Sequence, residues 1–458
     1  MGSASNAWNP KVGMHDGPKY TAVLDALERD IRNGTLVPGD RLPPQRHIAD
    51  HFGVTISTIT KAITEAARRG LVHTTPGSGT FIAPGLPEVP DAGHFIEMGI
   101  NLVPQALCED HLRSALRELT GTGNVADTLG YRGYRLTPGS SGHQFTAWLA
   151  AQGYPLDAGT RLTCNGTQQG LLAAMRTLSK PGDAVICEGV TYTGILRIIG
   201  QLGLVAHGVD MDREGALPDA LERALKESGA KLIVLTPTAQ NPTGATMSDA
   251  RRAAVAALAR RYDAMVIEDA VTAPVSGVEP SSITRFAPDH CIYLTGASKS
   301  VAPGVRFGVM RVPDRLAAAI EVALTTTNWM GPAYFAELAD LLARSGRMDE
   351  IVALYRADAS ARQELARRYL GGPPPTAIAY HYWHGLTEPN SADSVVMEAA
   401  GSNIHLSSAS SFTCPNYAPP NALRLCLGAE PDLAVLEDGL RRLTGLLANS
   451  RPLAAPVI

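Results

Sequence analysis

Six cysteines in 458 residues leave little for metal or disulfide chemistry. They stand at 108, 164, 187, 291, 414 and 426, with no CxxC spacing. That scatter argues against a zinc site and a disulfide scaffold and fits a reducing, cytoplasmic setting. No apolar run approaches the ~18 residues of a membrane-spanning helix. The start, Met-Gly-Ser-Ala-Ser-Asn-Ala-Trp-Asn-Pro, has no basic stretch leading into an apolar core, so no signal peptide is expected. Strong charge of one sign is also missing: 40 Lys/Arg against 44 Asp/Glu give a net −4, and the whole molecule does not read as a nucleic-acid binder. Charged residues make up only 18% and hydrophobic ones 45%, which implies a large buried interior. The chain is too long for one core, so two or three domains are expected.

The small net charge hides an asymmetry. Residues 11–82 carry nine Lys/Arg against seven Asp/Glu, leaving 31 against 37 elsewhere, and four histidines (15, 47, 51, 73) join the basic part. Residues 1–17, rich in Gly, Ser and Asn, read as a loose, disordered start. From Lys19 to Arg32, Val23, Leu24, Leu27 and Ile31 recur at helical spacing, and Asn33-Gly34 ends the helix. A second helix is expected over Gln45 to Phe52 and, after Gly53, a third from Ile56 to Arg69. Two short strands follow, about 70–75 and 80–82. Three helices and a hairpin make a winged helix-turn-helix over residues 18–82. The lead-in Pro38-Gly39-Asp40-Arg41-Leu42-Pro43, then Arg46, and the wing Gly77-Ser78-Gly79-Thr80-Phe81 resemble the GntR DNA-binding domain. The resemblance implies that Arg41 and Arg46 touch phosphate or bases. It puts Thr55, Ser57, Thr58 and Lys61 in the major groove and the Gly77–Gly79 tip near the minor groove of an operator. Relatives often carry Arg where this chain has Ile56, which puts a direct guanine contact there in doubt and leaves a thymine methyl as the alternative.

Residues 83–93 are rich in Pro and Gly and read as a linker. Beyond it, residues 94–458 alternate near-continuous apolar strands with helices. Such a pattern predicts a mostly parallel sheet covered on both faces, with a large part over about 94–312. Helix is expected from Pro313 to Leu370. A small α+β part, about 345–450, then has strands at Ala377–Trp383, Ile404–Leu406 and Ala422–Leu427. Ligands in open α/β sheets sit at the carboxyl ends of strands, and Thr167, Tyr192, Asn241, Asp269 and Lys299 all fall just past such ends.

The most informative stretch is Thr295-Gly296-Ala297-Ser298-Lys299, with Arg306 seven positions on, between Gly304 and Gly308. A lysine among apolar and small neighbours loses its proton readily and becomes a nucleophile. An arginine fork suits phosphate. Upstream stand Asn241-Pro242-Thr243-Gly244 and Val266-Ile267-Glu268-Asp269. In that order these motifs resemble the fold-type-I pyridoxal-phosphate aminotransferases. Together with the winged helix, the chain from about Pro18 to Leu447 resembles the MocR branch of the GntR transcription regulators. The resemblance implies pyridoxal 5'-phosphate as cofactor and Lys299 as its covalent anchor. It assigns Asp269 to the pyridine nitrogen, Asn241 to the phenolate oxygen, and Tyr192 to stacking on the ring. Gly166, Thr167, Gln168, Ser298 and Arg306 would hold the phosphate, and Tyr131 would reach the phosphate of a partner subunit in a homodimer. Arg424, in Asn421-Ala-Leu-Arg424-Leu-Cys-Leu, would hold a carboxylate of an amino compound. No metal ligand set is expected.

Two departures bear on activity. Relatives usually have a tyrosine two or three positions after the aspartate, where this chain has Val271 and Thr272. They often have Ser or Thr where it has Gly296. Both changes should loosen the cofactor and slow proton transfer. Three functions stay open: a regulator sensing the cofactor or an amino compound, a working aminotransferase with an appended DNA-binding domain, and a cofactor-free regulator using the fold as a dimer platform.

Overall fold

The computed structural model describes residue 8 and residues 19–32, 35–36, 39–68, 71–75, 79–82, 95–122, 125–279 and 281–449. The chain divides into two compact units, Met1–His94 and Phe95–Ile458. The expected linker 83–93 lies outside the described residues, as do residues 1–17 apart from Trp8.

In the first unit the helices are Lys19–Arg32, Gln45–Phe52 and Ile56–Arg68. Val23, Leu24, Leu27, Ile48, Ile59, Ala62, Ile63 and Ala66 are buried together, so the apolar spacing read from the sequence is the packed face. Gly53 adopts φ +60 and its N–H closes onto Ala49 and Asp50, a left-handed cap that only glycine takes at little cost. The wing pairs Val72–Thr75 antiparallel with Gly79–Ile82, and residues 40–42 add a third lane through Leu42 N–H to Thr80 O and Ile82 N–H to Asp40 O. Trp8, inside the segment expected to be loose, is instead buried: its indole N–H donates to Asp30 at 2.9 Å and its ring meets Phe52. A large ring with one donor is stable there because both needs are met.

The second unit is built on a seven-stranded sheet. Its order is Thr160–Cys164, Gly308–Val312, Cys291–Gly296, Met265–Asp269, Leu232–Leu235, Ala184–Glu188, Val205–Val209. Neighbours are parallel except Gly308–Val312, which runs antiparallel to both of its partners. Helices cover both faces, and the four strands from Gly308–Val312 to Leu232–Leu235 are fully buried, so they read as apolar runs. The helical stretch expected from Pro313 to Leu370 is three helices, Asp314–Thr327, Ala333–Arg344 and Arg347–Leu370. Pro332 and Gly346 start the second and third, and Gly346 takes φ +77. The small part has a three-stranded antiparallel sheet, His381–Gly385, Ala422–Cys426 and Ser407–Ser408. The first of these begins later than the expected 377, because Ile378 is drawn off to pair with the Ser276 carbonyl. Ile96–Glu97 and Ile404–His405 form a further parallel pair. Among the described residues no helix is long and apolar enough to cross a membrane, and no group of three His, Cys, Asp or Glu could hold a metal ion.

Candidate functional site

The strand Thr160–Cys164 turns at Asn165-Gly166 into the helix Thr167–Leu178. Gly166 sits at φ +79, ψ 160, and a Cβ on it would come 2.2 Å from Arg306 Nη2. The guanidinium therefore lies directly over the turn. Arg306 Nη1 donates to Ser298 Oγ at 3.1 Å and to the Pro303 carbonyl at 3.2 Å. Free amides at a helix start beside a guanidinium make an anion site. Gly296 and Gly308 are register partners beneath it. A Cβ on Gly308 would stand 3.2 Å from Thr167 N, and one on Gly296 would stand 2.7 Å from the Phe307 carbonyl oxygen. Gly296 is thus a packing requirement of this chain, and a hydroxyl-bearing residue has no room there. The Gln168 side-chain N–H donates to the Gly194 carbonyl at 3.1 Å, so its backbone amide is the group it can offer an anion.

Asp269 ends the strand Met265–Asp269 and is buried. Burial pushes its carboxyl up to about 6, against the Val271 N–H, which it accepts at 3.2 Å, and the nearby charge of Lys299. Burial also pulls Lys299 down to about 8; Arg424 and Arg306 pull the same way, while Cys426 and Asp269 oppose. Its Nζ donates to the Asn101 carbonyl. Tyr192 precedes the helix Thr193–Gln201, and its ring folds against Gly194, where a Cβ would be 2.3 Å from Cε1. Burial raises its phenol, Asp269 adds to the rise, and Arg306 and Arg424 oppose it. Thr272, where relatives usually have a tyrosine, donates its hydroxyl to the Thr238 carbonyl at 2.8 Å and so braces the segment leading to Asn241.

Arg424 lies on the strand Ala422–Cys426 and is buried. Its Nη1 donates to Asn241 Oδ1 at 3.2 Å and its Nη2 to the Gly99 carbonyl, while the buried Nε has no partner among the described residues. The guanidinium carbon stands 4.4 Å from the centre of the Phe412 ring. With its oxygen on Arg424, Asn241 keeps its amide N–H groups for another acceptor. Asp269, Lys299, Arg306, Tyr192, Asn241 and Arg424 are therefore brought together. Tyr131 is not: it is 60% exposed and its hydroxyl donates to the Trp329 carbonyl.

Several contributors escaped sequence reasoning. His381 is buried; its Nε2 lies 2.9 Å from the Gln240 carbonyl and its Nδ1 3.3 Å from Asn101 Nδ2. The pair fixes a neutral ring with the proton on Nε2, and burial pulls the group down to about 4. Gly99 and Asn101 supply the carbonyls on Arg424 and Lys299, and Phe412 backs the guanidinium. Next to His381 opens a cavity of about 490 Å³ lined by Thr243, Tyr382, Trp383 and Tyr417 among others. Trp383 is the register partner of Arg424, although Arg424 itself does not line the cavity.

In the first unit, Arg41 is exposed and bridges to Phe81, and its Nε would be 2.7 Å from a Cβ on Gly79. Arg46 is exposed on the first turn of Gln45–Phe52. Thr55 Oγ1 caps the next helix by accepting from the Thr58 N–H at 3.3 Å, and it lies 2.9 Å from the Ser57 and Thr58 hydroxyls. Lys61 holds its ammonium 4.4 Å from the centre of the Tyr20 ring. Gly77 lies outside the described residues.

Residues 19–82 match the family described as bacterial regulatory proteins, gntR family, and residues 93–443 match aminotransferase class I and II. The HTH-type transcriptional regulator YdeF of Bacillus subtilis is 30% identical over 451 residues, 96% of this chain and 97% of that protein. The vitamin B6 salvage pathway transcriptional repressor PtsJ of Salmonella typhimurium is 26% identical over 329 residues, 69% of this chain and 73% of that one. Pyrococcus horikoshii kynurenine aminotransferase shares the fold of the second unit, with a TM-score of 0.71 at 23% identity over 79% of this chain and 93% of that structure. The chain thus belongs to the GntR regulators of the MocR type, in which a helix-turn-helix unit is fused to an aminotransferase class I and II unit.

Proposed function

We propose that this chain is a transcription regulator whose residues 18–82 grip a double-stranded DNA operator. Residues 94–458 hold pyridoxal phosphate and sense an amino compound or the cofactor itself, and residues 83–93 link the two. One observation carries the reading: an exposed helix-turn-helix start and the cluster Asp269, Lys299, Arg306 and Arg424 occur on one chain.

The residues present fit the cofactor. The turn at Gly166 lies under a guanidinium, a buried lysine is drawn towards its neutral form, and the buried Arg424 Nε lacks a partner. When bound, pyridoxal phosphate supplies a carbonyl that condenses with amines and a ring that draws electrons. Thr167, Ser298, Arg306 and the backbone amides of Thr167 and Gln168 would hold its phosphate, over the turn that Gly166 makes; the Gly166 N–H itself donates to the Cys164 carbonyl at 2.8 Å. Asp269 would keep a proton at the ring nitrogen. Asn241 would donate to the ring oxygen, and Tyr192 would cover one face. Neutral Lys299 would be the nucleophile that anchors the group. Arg424 offers Nε and Nη to an effector carboxylate, and the cavity beside Trp383 gives room for the rest of that molecule. The relative named as a vitamin B6 salvage repressor supports the cofactor itself as a signal. A homodimer is part of the reading: Tyr131 is exposed and bonds to the Trp329 carbonyl, not to a site residue, which leaves it for a partner's phosphate.

The test is selection of genomic DNA fragments by purified, cofactor-loaded protein, repeated with Lys299→Ala. Enrichment of one repeated sequence, altered by loss of the lysine, is expected. Absence of enrichment in both forms would reject a regulator. A second reading, a working aminotransferase, is favoured by the gathering of Asn241, Asp269, Lys299 and Arg424. Conversion of the cofactor to its amine form by an amino acid, then turnover with a keto acid, would establish it.

A further inference from the structure

The helix Ile56–Arg68 buries Ile59, Ala62, Ile63 and Ala66 and turns Ile56, Ser57, Thr60, Lys61 and Thr64 outward. Ile56 is 45% exposed. Among the described residues of the first unit it is the one large apolar side chain left in solvent. It opens the second helix of the helix-turn-helix, at the end that meets base edges in this architecture.

The polar groups around it are already engaged. Thr55 Oγ1 caps the helix at Thr58 N–H. Thr60 Oγ1 donates to Gln45 Oε1 at 2.9 Å, with the Ile56 carbonyl at 3.0 Å, and Thr64 Oγ1 donates to the Thr60 carbonyl at 2.8 Å. Lys61 rests over the Tyr20 ring. Guanine is read in the major groove by a fork of donors from Arg or Lys, and the first turn of this helix, Ile56 to Ile59, carries neither. The outward face here offers an apolar branch at Ile56, the methyl of Thr60, and the amide N–H groups of Gln45, whose oxygen is taken by Thr60. The one base edge that pairs an apolar group with an acceptor is that of thymine, through its C5 methyl and O4.

We infer that Ile56 reads a thymine methyl, so that each operator half-site carries an A·T pair opposite it. The Gln45–Thr60 bridge braces Ile56 in position. This rests on the first unit binding DNA.

The experiment starts from duplexes selected out of a random pool by the full-length, cofactor-loaded protein. Each selected thymine is then replaced, one at a time, by deoxyuridine, which removes the C5 methyl and leaves pairing and O4 intact. At one thymine per half-site the swap should weaken wild-type binding about fourfold or more, the worth of one buried methyl at ~0.8 kcal/mol. Ile56→Ala should bind the two duplexes within about twofold of each other, and Ile56→Arg should shift the selected base towards guanine. Ile56 is exposed, so both variants keep the packed face of the helix, and circular dichroism checks this. If no thymine swap separates wild type from Ile56→Ala, the assignment is wrong while the unit remains a DNA binder. Enrichment of no sequence by any form removes both.

Discussion

The guanidinium of Arg306 lies so close over Gly166 that the space of a Cβ is occupied by its Nη2. With φ +79 and ψ 160, the backbone of Gly166 is also in a region that only glycine enters without strain of about 1–3 kcal/mol. Gly166→Ala should therefore both strain the turn and push the arginine off it. We expect cofactor affinity, read by absorbance titration, to fall at least about tenfold, or ~1.4 kcal/mol, with the circular dichroism spectrum kept. Unchanged affinity would show that the turn does not hold the phosphate.

Lys299 is drawn down to about 8, chiefly by burial. The neutral amine is the nucleophile, so the rate at which cofactor-free protein captures pyridoxal phosphate should climb through about pH 8 and not near 10.5. Arg424→Met removes a cation that holds the amine down and should move the midpoint up. Asp269→Asn removes the opposing carboxylate and should move it down. A midpoint that ignores both changes would contradict this electrostatic account.

Gly296 replaces the Ser or Thr found in many relatives, and restoring the hydroxyl should fail. The Cβ of Gly296→Ser would press on the Phe307 carbonyl oxygen and on the Cα of Gly308. The expected cost is about 1–3 kcal/mol of stability, seen as a lower Tm, with weaker cofactor binding. Tighter binding in the serine variant would show that the strand pair can open to admit it.

His381 is held neutral, with burial drawing it down to about 4. Between pH 6.5 and 4 the unfolded chain takes up a proton that the folded chain refuses, so this group costs stability as pH falls through that window. Glu188, raised to about 7, and Asp269 and Asp340, each raised to about 6, act with the opposite sign, because the folded state holds their protons more firmly. The informative quantity is the difference between proteins. Denaturant melts at pH 6.5 and 4.5 should show His381→Gln losing less stability on acidification than wild type, by up to about 2–3 kcal/mol. Equal losses would mean that the ring accepts its proton inside the fold.

Much of this was legible in the sequence where the signal is local. Helical spacing found the packed face of the first unit, and apolar runs found the sheet. Asn241, Asp269 and Lys299 announced themselves because each lies at or beyond the carboxyl end of a strand, and Arg306 because it stands between Gly304 and Gly308, seven positions past the lysine. What stayed hidden depends on contacts between distant segments. Asn101 meets His381 across 280 positions, and neither has a neighbourhood that marks it. Phe412 looks like any core aromatic until Arg424 lies over it. Trp8 sits in a stretch whose composition says loop, yet one acceptor, Asp30, and an apolar seat hold it. The orientation of Gly308–Val312 is equally silent, since a buried strand reads the same in either direction.

The carbonyls of Gly99 and Asn101, two residues apart, hold the side chains of Arg424 and Lys299. A carboxylate arriving at Arg424 would have to displace the Gly99 carbonyl, and covalent use of Lys299 would have to break its bond to the Asn101 carbonyl. Both events would therefore release the same short stretch of backbone, which ties occupancy of the carboxylate end to occupancy of the lysine end.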